Sequence, residues 1–156
     1  MKETFTALRQ LLQGKWEGDG YAKFPTITNT AYTEHLEFFA DDDKDAIFFN
    51  QKTWYKNETG NNGRTVFWDT GFIILKNDTI LLHSVQVGGR IEMLTLTAST
   101  ANKFIFNTTA IVNDIKTIQA QRIFSVDEHQ LQYELNMVTH EAIFQNHLTA
   151  NLRKVQ

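Results

Sequence analysis

TVFWDTGFIILKNDTILLHSVQVGGRIEMLTL, residues 65–96, holds three runs rich in Val, Ile, Leu, Phe and Thr, separated by two short breaks. β-Branched and aromatic side chains suit a pleated strand, and Lys76-Asn77-Asp78 and Gly88-Gly89 are turn-forming residues at hairpin length. The stretch therefore predicts strands at 65–75, 79–87 and 90–99, each folding back on the one before it. The same reading extends in both directions. Towards the N-terminus it predicts strands at 15–23, 27–40 and 46–56, with a turn at 57–63. Towards the C-terminus it predicts strands at 103–111, 115–126, 130–139 and 142–154. Residues 3–13 differ, because Phe5, Leu8, Leu11 and Leu12 recur at helical spacing and Gly14 follows as a stop.

Ten strands joined in order by short turns pair most simply with their neighbours, giving antiparallel up-and-down order. A twisted sheet of that size curls, and closing it removes both exposed edges. The expected fold is therefore all-β: a ten-stranded antiparallel up-and-down β-barrel with a short N-terminal helix, as a single domain over 1–156. Barrels of more than about eight strands enclose space that their side chains do not fill.

Composition narrows the function. Fifteen basic against eighteen acidic residues give no field suited to nucleic acid or an anionic membrane surface. No run approaches the roughly 18 apolar residues of a membrane span, and no signal-peptide pattern opens the chain. The absence of cysteine excludes disulfides, thiolate metal sites, a Cys nucleophile and covalent c-type haem. A cytoplasmic protein, monomer or homodimer, is the expectation, and the Asn-x-Thr triplets at Asn57, Asn77 and Asn107 are read as chance.

Most motifs carry no chemistry. Gly18 and Gly20 lie in a strand without the helix a dinucleotide site requires, so they mark a close backbone or ligand approach. His140-Glu141 begins like a zinc-protease motif, but Phe144 stands where the second histidine belongs. His35, His83 and His129 read as ordinary surface or hydrogen-bonded histidines, and no catalytic triad or carboxylate pair stands out. Trp16 follows Gly14 at the helix-to-strand junction, where an indole can plug a barrel under a cation of the last strand, with Arg153 the candidate. Met137 reads as core filler and Gln86 as an ordinary strand residue. In AIFQNHLTANLRKV, residues 142–155, alternation puts Leu148, Ala150 and Leu152 on one face and His147 on the other. That is a surface position, unless the polar face looks into a lumen.

Several segments taken together resemble the nitrobindins, a family of haem-binding β-barrels. LLQGKWEGDGYAKFPTI is similar to the family's opening signature through Gly14, Trp16, Gly18, Gly20, Pro25 and Ile27, with Ala22 and Phe24 departing from it. Gln51, Thr53 and Trp54 resemble its Gln-x-Thr-Trp segment, and Asp69, Gly71 and Phe72 its acid-x-Gly-aromatic segment. Gln86, Gly89 and Glu92 follow, and Met137 ten residues before His147-Leu148 matches the closing pattern. The resemblance implies non-covalent haem b near the open end of the barrel, with His147 as the iron ligand and Pro25, Thr26, Gln86 and Met137 near the macrocycle. It implies binding of nitric oxide or peroxynitrite, with isomerisation of the latter to nitrate, and no catalytic residue beyond the haem iron. Phe67 stands where some members carry a distal histidine. The alternative is a haem-free carrier of a fatty acid or another apolar molecule, with Arg122 or Arg153 clamping the carboxylate. A barrel filled by its own aromatics is a third reading.

Overall fold

The computed structural model describes residues 1–23 and 28–155. Helix α1 (Lys2–Leu12) leads into β1 (Gly14–Ala22), followed by β2 (Thr30–Ala40), β3 (Ala46–Tyr55), β4 (Thr65–Lys76) and β5 (Thr79–Gln86). The chain continues through β6 (Ile91–Ser99), β7 (Lys103–Val112), β8 (Thr117–Val126), β9 (Gln130–Thr139) and β10 (Gln145–Val155). Each strand pairs antiparallel with its sequence neighbour, and β1 pairs with β10 to close the barrel. The expected fold, helix and ten strands are all present, with ends shifted by a few residues. No helix among the described residues is long and apolar enough to cross a membrane.

The turns obey local chemistry. Asn77 and Asp78 both have positive φ, 48° and 56°, which a two-residue hairpin between right-twisted strands requires. Gly18 and Gly20 prove to be sites of close approach. A Cβ on Gly18 would strike the Asn151 carbonyl of β10, and one on Gly20 would strike the Tyr32 ring.

One end of the barrel is shut. Phe5, Leu8 and Leu12 of α1 are buried against Trp16, whose Nε1 donates to the Leu12 carbonyl at 2.7 Å. Lys154, not Arg153, is the cation at this indole, with Nζ 5.2 Å from the ring centroid. The register explains the correction: Trp16 lies opposite Lys154, whereas Arg153 lies opposite Glu17 and is exposed on the outer face. The acidic 41–45 turn is more than solvated, because Lys2 pairs with Asp45 and Arg9 with Asp42, tying α1 to the β2–β3 hairpin.

The aromatics Phe38, Phe49, Phe106, Phe124 and Tyr133 stack edge-on or tilted above this plug, with centroids 5.3–6.3 Å apart. They fill the closed half only. Nearer the open end the inward positions become Glu34, Gln51, Asp69, Ser84, Glu92 and Arg122, all buried. The wall is also less complete there. The β7–β8 ladder runs from Lys103↔Ser125 to Asn107↔Gln121 and stops; beyond it the Ala120 N–H donates to Thr108 Oγ1 at 3.0 Å, and Thr108–Val112 have no ladder partners on β8.

Candidate functional site

The site begins with a break in alternation. On β10, Asn146 lies opposite Asn136 of β9 and Leu148 opposite Leu135, so His147 is an extra residue, a β-bulge. Strict alternation would send His147 outward because Leu148 points in. The bulge lets both face the lumen, and they are 0% and 1% exposed. On the other edge β1 continues past its last paired residue, with the Lys23 N–H donating to the His147 carbonyl at 2.8 Å.

His147 forms one wall of a cavity of about 280 Å³ at the open end, together with Arg90, Asp114, Thr117, Met137 and Thr139. Ile115, Lys116, His140 and Glu141 complete it from the β7–β8 and β9–β10 loops. These loops are joined by the His140 N–H, which donates to the Lys116 carbonyl at 3.0 Å. Met137, read from sequence as core filler and by resemblance as a haem neighbour, thus shares a cavity with His147. Phe67 and Gln86 are not among the cavity's walls. Phe67 is half-buried on β4, and Gln86 ends β5 opposite the buried Asp69. Pro25 and Thr26 lie outside the described residues.

A chain of alternating charges ties this cavity to the middle of the barrel. Arg90 pairs with Glu92 and, at 3.1 Å, with Asp114, and donates to Thr117 Oγ1 at 3.2 Å and to Met137 Sδ at 3.5 Å. Glu92 in turn accepts from Arg122 Nε at 2.9 Å and Nη2 at 2.5 Å. Arg122 crosses the lumen to Asp69 Oδ2 at 2.5 Å and Ser84 Oγ at 3.0 Å. Burial pushes the Glu92 carboxyl up, but Arg122 and then Arg90 outweigh it and hold its pKa below the usual range. Glu34 has no such cation. Burial pushes it up to about 7, offset only in part by the Gln51 amide at 2.6 Å and by Tyr32.

The same forces act on His147. Burial first, and then the nearby Arg90 charge, lower its pKa from an ordinary histidine's, so the ring is neutral at neutral pH. A neutral imidazole is a good donor to a transition metal. Among the described residues no group of three or more His, Cys, Asp or Glu side chains could hold a metal ion. A group that carries most of its own ligands, as porphyrin iron does, would need only one such donor from the protein, and the cavity's walls are both polar and apolar.

Arg90 was missed by the sequence reading. Glu34, Glu92 and Arg122 carried a usable signal, because each lies in phase with the apolar positions of its strand: Glu34 with Leu36 and Phe38, Glu92 with Leu94 and Leu96, Arg122 with Phe124 and Val126. A charge in phase with a buried face either finds a partner inside or lines a cavity.

Comparison with known proteins agrees with this architecture. A ferric nitrobindin-like protein of Saccharopolyspora erythraea is 29% identical over 151 residues, covering 92% of this chain and 70% of that protein. A protein of Arabidopsis thaliana named as a peroxynitrite isomerase is 29% identical over 153 residues, covering 97% of this chain and 89% of its own. The crystal structure of Rv2717c from M. tuberculosis superposes with a TM-score of 0.75 at 23% identity, covering 96% of this chain and 98% of that one, a likeness of fold. The model of the THAP4-like, haem-binding β-barrel domain matches residues 5–154, and with nearly the whole chain inside that match, the protein belongs to this family.

Proposed function

We propose that the protein is a cytoplasmic ferric haem b barrel in which His147 is the single protein ligand to iron and the opposite face is open to nitric oxide or peroxynitrite. The observation that carries this reading is the bulge, which turns a neutral imidazole into a cavity walled by Met137 and Arg90. Bound ferric haem supplies a Lewis-acidic iron, suited to nitric oxide binding and to isomerising peroxynitrite to nitrate, the activity for which the Arabidopsis relative is named. The chain's part is to hold, orient and exclude. The bulge fixes the direction of the ring, Arg90 favours its neutral form, and Met137 supplies a soft apolar contact. Phe67 has no hydrogen to donate. Half-buried on β4 and outside the cavity wall, it would leave nitric oxide binding intact and would supply no hydrogen bond to an anionic ligand.

The carrier reading loses its clamp. Arg122 does enter the lumen, but its guanidinium is already engaged by Asp69, Glu92 and Ser84, and Arg153 is exposed outside. The aromatic-filled barrel is correct for the closed half alone.

Reconstitution with hemin tests the proposal. Wild type should give a shifted, sharpened Soret band that His147→Ala loses, with affinity reduced about a hundredfold or more as the one coordinate bond disappears. Wild-type and variant spectra both matching free hemin would overturn it. Stopped-flow decay of peroxynitrite by the loaded protein, with nitrate quantified, tests the catalytic part separately.

A further inference from the structure

A bulge interrupts the ladder, and something must keep it at position 147 and nowhere else. The Asn146 side chain wraps around it. Its Nδ2 donates to the Leu148 carbonyl at 2.9 Å and to Asn136 Oδ1 at 3.1 Å, while its Oδ1 accepts from Thr149 Oγ1 at 2.9 Å. One amide thus joins the residues on both sides of His147 and ties them to β9. The chain of amides continues around the barrel: Asn136 Nδ2 donates to Gln121 Oε1 at 3.1 Å, and Gln121 Nε2 to Asn107 Oδ1 at 2.9 Å. Asn107 Nδ2 then donates to Thr97 Oγ1 at 2.5 Å. Every amide donates in the same direction, so each bond polarises the next, and Asn146 cannot flip without aiming an oxygen at the Leu148 carbonyl.

We propose that Asn146 is a positioning residue that locks the bulge and thereby keeps the His147 imidazole facing the lumen. The competing arrangement is regular pairing. Residues 148–153 are fixed by β1 and β9 on both edges, so loss of the bulge shifts the preceding segment by one residue and turns His147 outward. Asn146 opposes that slip because its bonds to Leu148 and Thr149 exist only with the extra residue between them. The importance of this lock for iron rests on the function proposed above; the orientation of the ring does not.

Asn146→Asp keeps the size of the side chain but replaces the donor facing the Leu148 carbonyl with an acceptor, and Thr149→Val removes one anchoring bond. Each haem-free protein is treated with diethyl pyrocarbonate and modification is read site by site by peptide mass spectrometry, with exposed His35, His129 and His140 as references. Asn146→Asp should raise the rate at His147 about tenfold, and Thr149→Val about threefold, as expected for losing strong and ordinary hydrogen bonds. Hemin titration of Asn146→Asp should show the Soret signature weakening in parallel while far-UV circular dichroism keeps the strand signal. A folded Asn146→Asp protein with wild-type reactivity at His147 overturns the proposal. Where that variant does not fold, Thr149→Val decides, and unchanged His147 reactivity there overturns it equally. A wild type that binds no hemin would defeat the function proposed above while leaving the reactivity comparison to judge Asn146.

Discussion

At the closed end of the barrel the inward positions include Trp16, Phe38, Phe49 and Phe124; at the open end they include Glu34, Asp69, Glu92, Arg122 and the bulged His147. The first set gains by burying apolar area and makes few demands on direction. The second set must satisfy charges and hydrogen bonds in a dry interior, where each group is costly unless its partner is in place. The two halves therefore divide the labour. The closed half holds the barrel together, and the open half gives up regular pairing and apolar packing to build a site.

Substitutions can break this division. Trp16→Ala should cost the most, about 3–5 kcal/mol as a cavity opens under the helix. In chemical denaturation the midpoint should fall, while the protein still folded keeps its hemin spectrum. Arg122→Met should cost about 3–4 kcal/mol, because Asp69 is left as a buried carboxylate without its cation and Glu92 keeps only Arg90. Unlike the first, it should also disturb the cavity, through Glu92 and Arg90, and hemin titration should show this as weakened binding. Equal effects of both variants on hemin binding would dissolve the comparison.

Glu34 sharpens it through pH. Its pKa rises from 4.5 in the unfolded chain to about 7 in the fold, so between these values the native state holds more proton. The associated stability is fully present below the unfolded value and is lost as pH rises through the folded one, an effect of about 3 kcal/mol. Glu34→Gln should remove that slope. Urea midpoints at pH 5 and pH 8 should differ less than in wild type, with the variant gaining relative stability at pH 8. Asp42→Ala, at an exposed pair with Arg9, should cost under about 1 kcal/mol and fade with added salt.

Much of the barrel was legible because its signals are local. Asn77-Asp78 is a hairpin turn by its own chemistry, and the apolar alternation on either side needs no distant partner. The site was less legible because its deciding feature is an exception to that alternation. Nothing in Asn146-His147-Leu148 read by itself announces that two consecutive side chains turn inward. Only the match of several separated segments to a known family singled out His147. Arg90 stands beside the Gly88-Gly89 turn, where an arginine looks solvated, and its ties to Glu92 and Asp114 depend on strands far away in sequence. The expectation for the Trp16 cation missed by one residue, because which residue lies opposite is set by register.

The early end of the β7–β8 ladder has a consequence of its own. Thr108 and Ala110–Val112 have ladder partners on β6 but none on β8, whereas Phe104–Asn107 are paired on both sides. In deuterium exchange the barrel should behave like a cylinder with a slit cut part-way down from its rim. Labelling should begin along β7 beside the cavity loops and stop where Asn107 meets Gln121, and the depth of that slit measures how far the wall can part without unfolding.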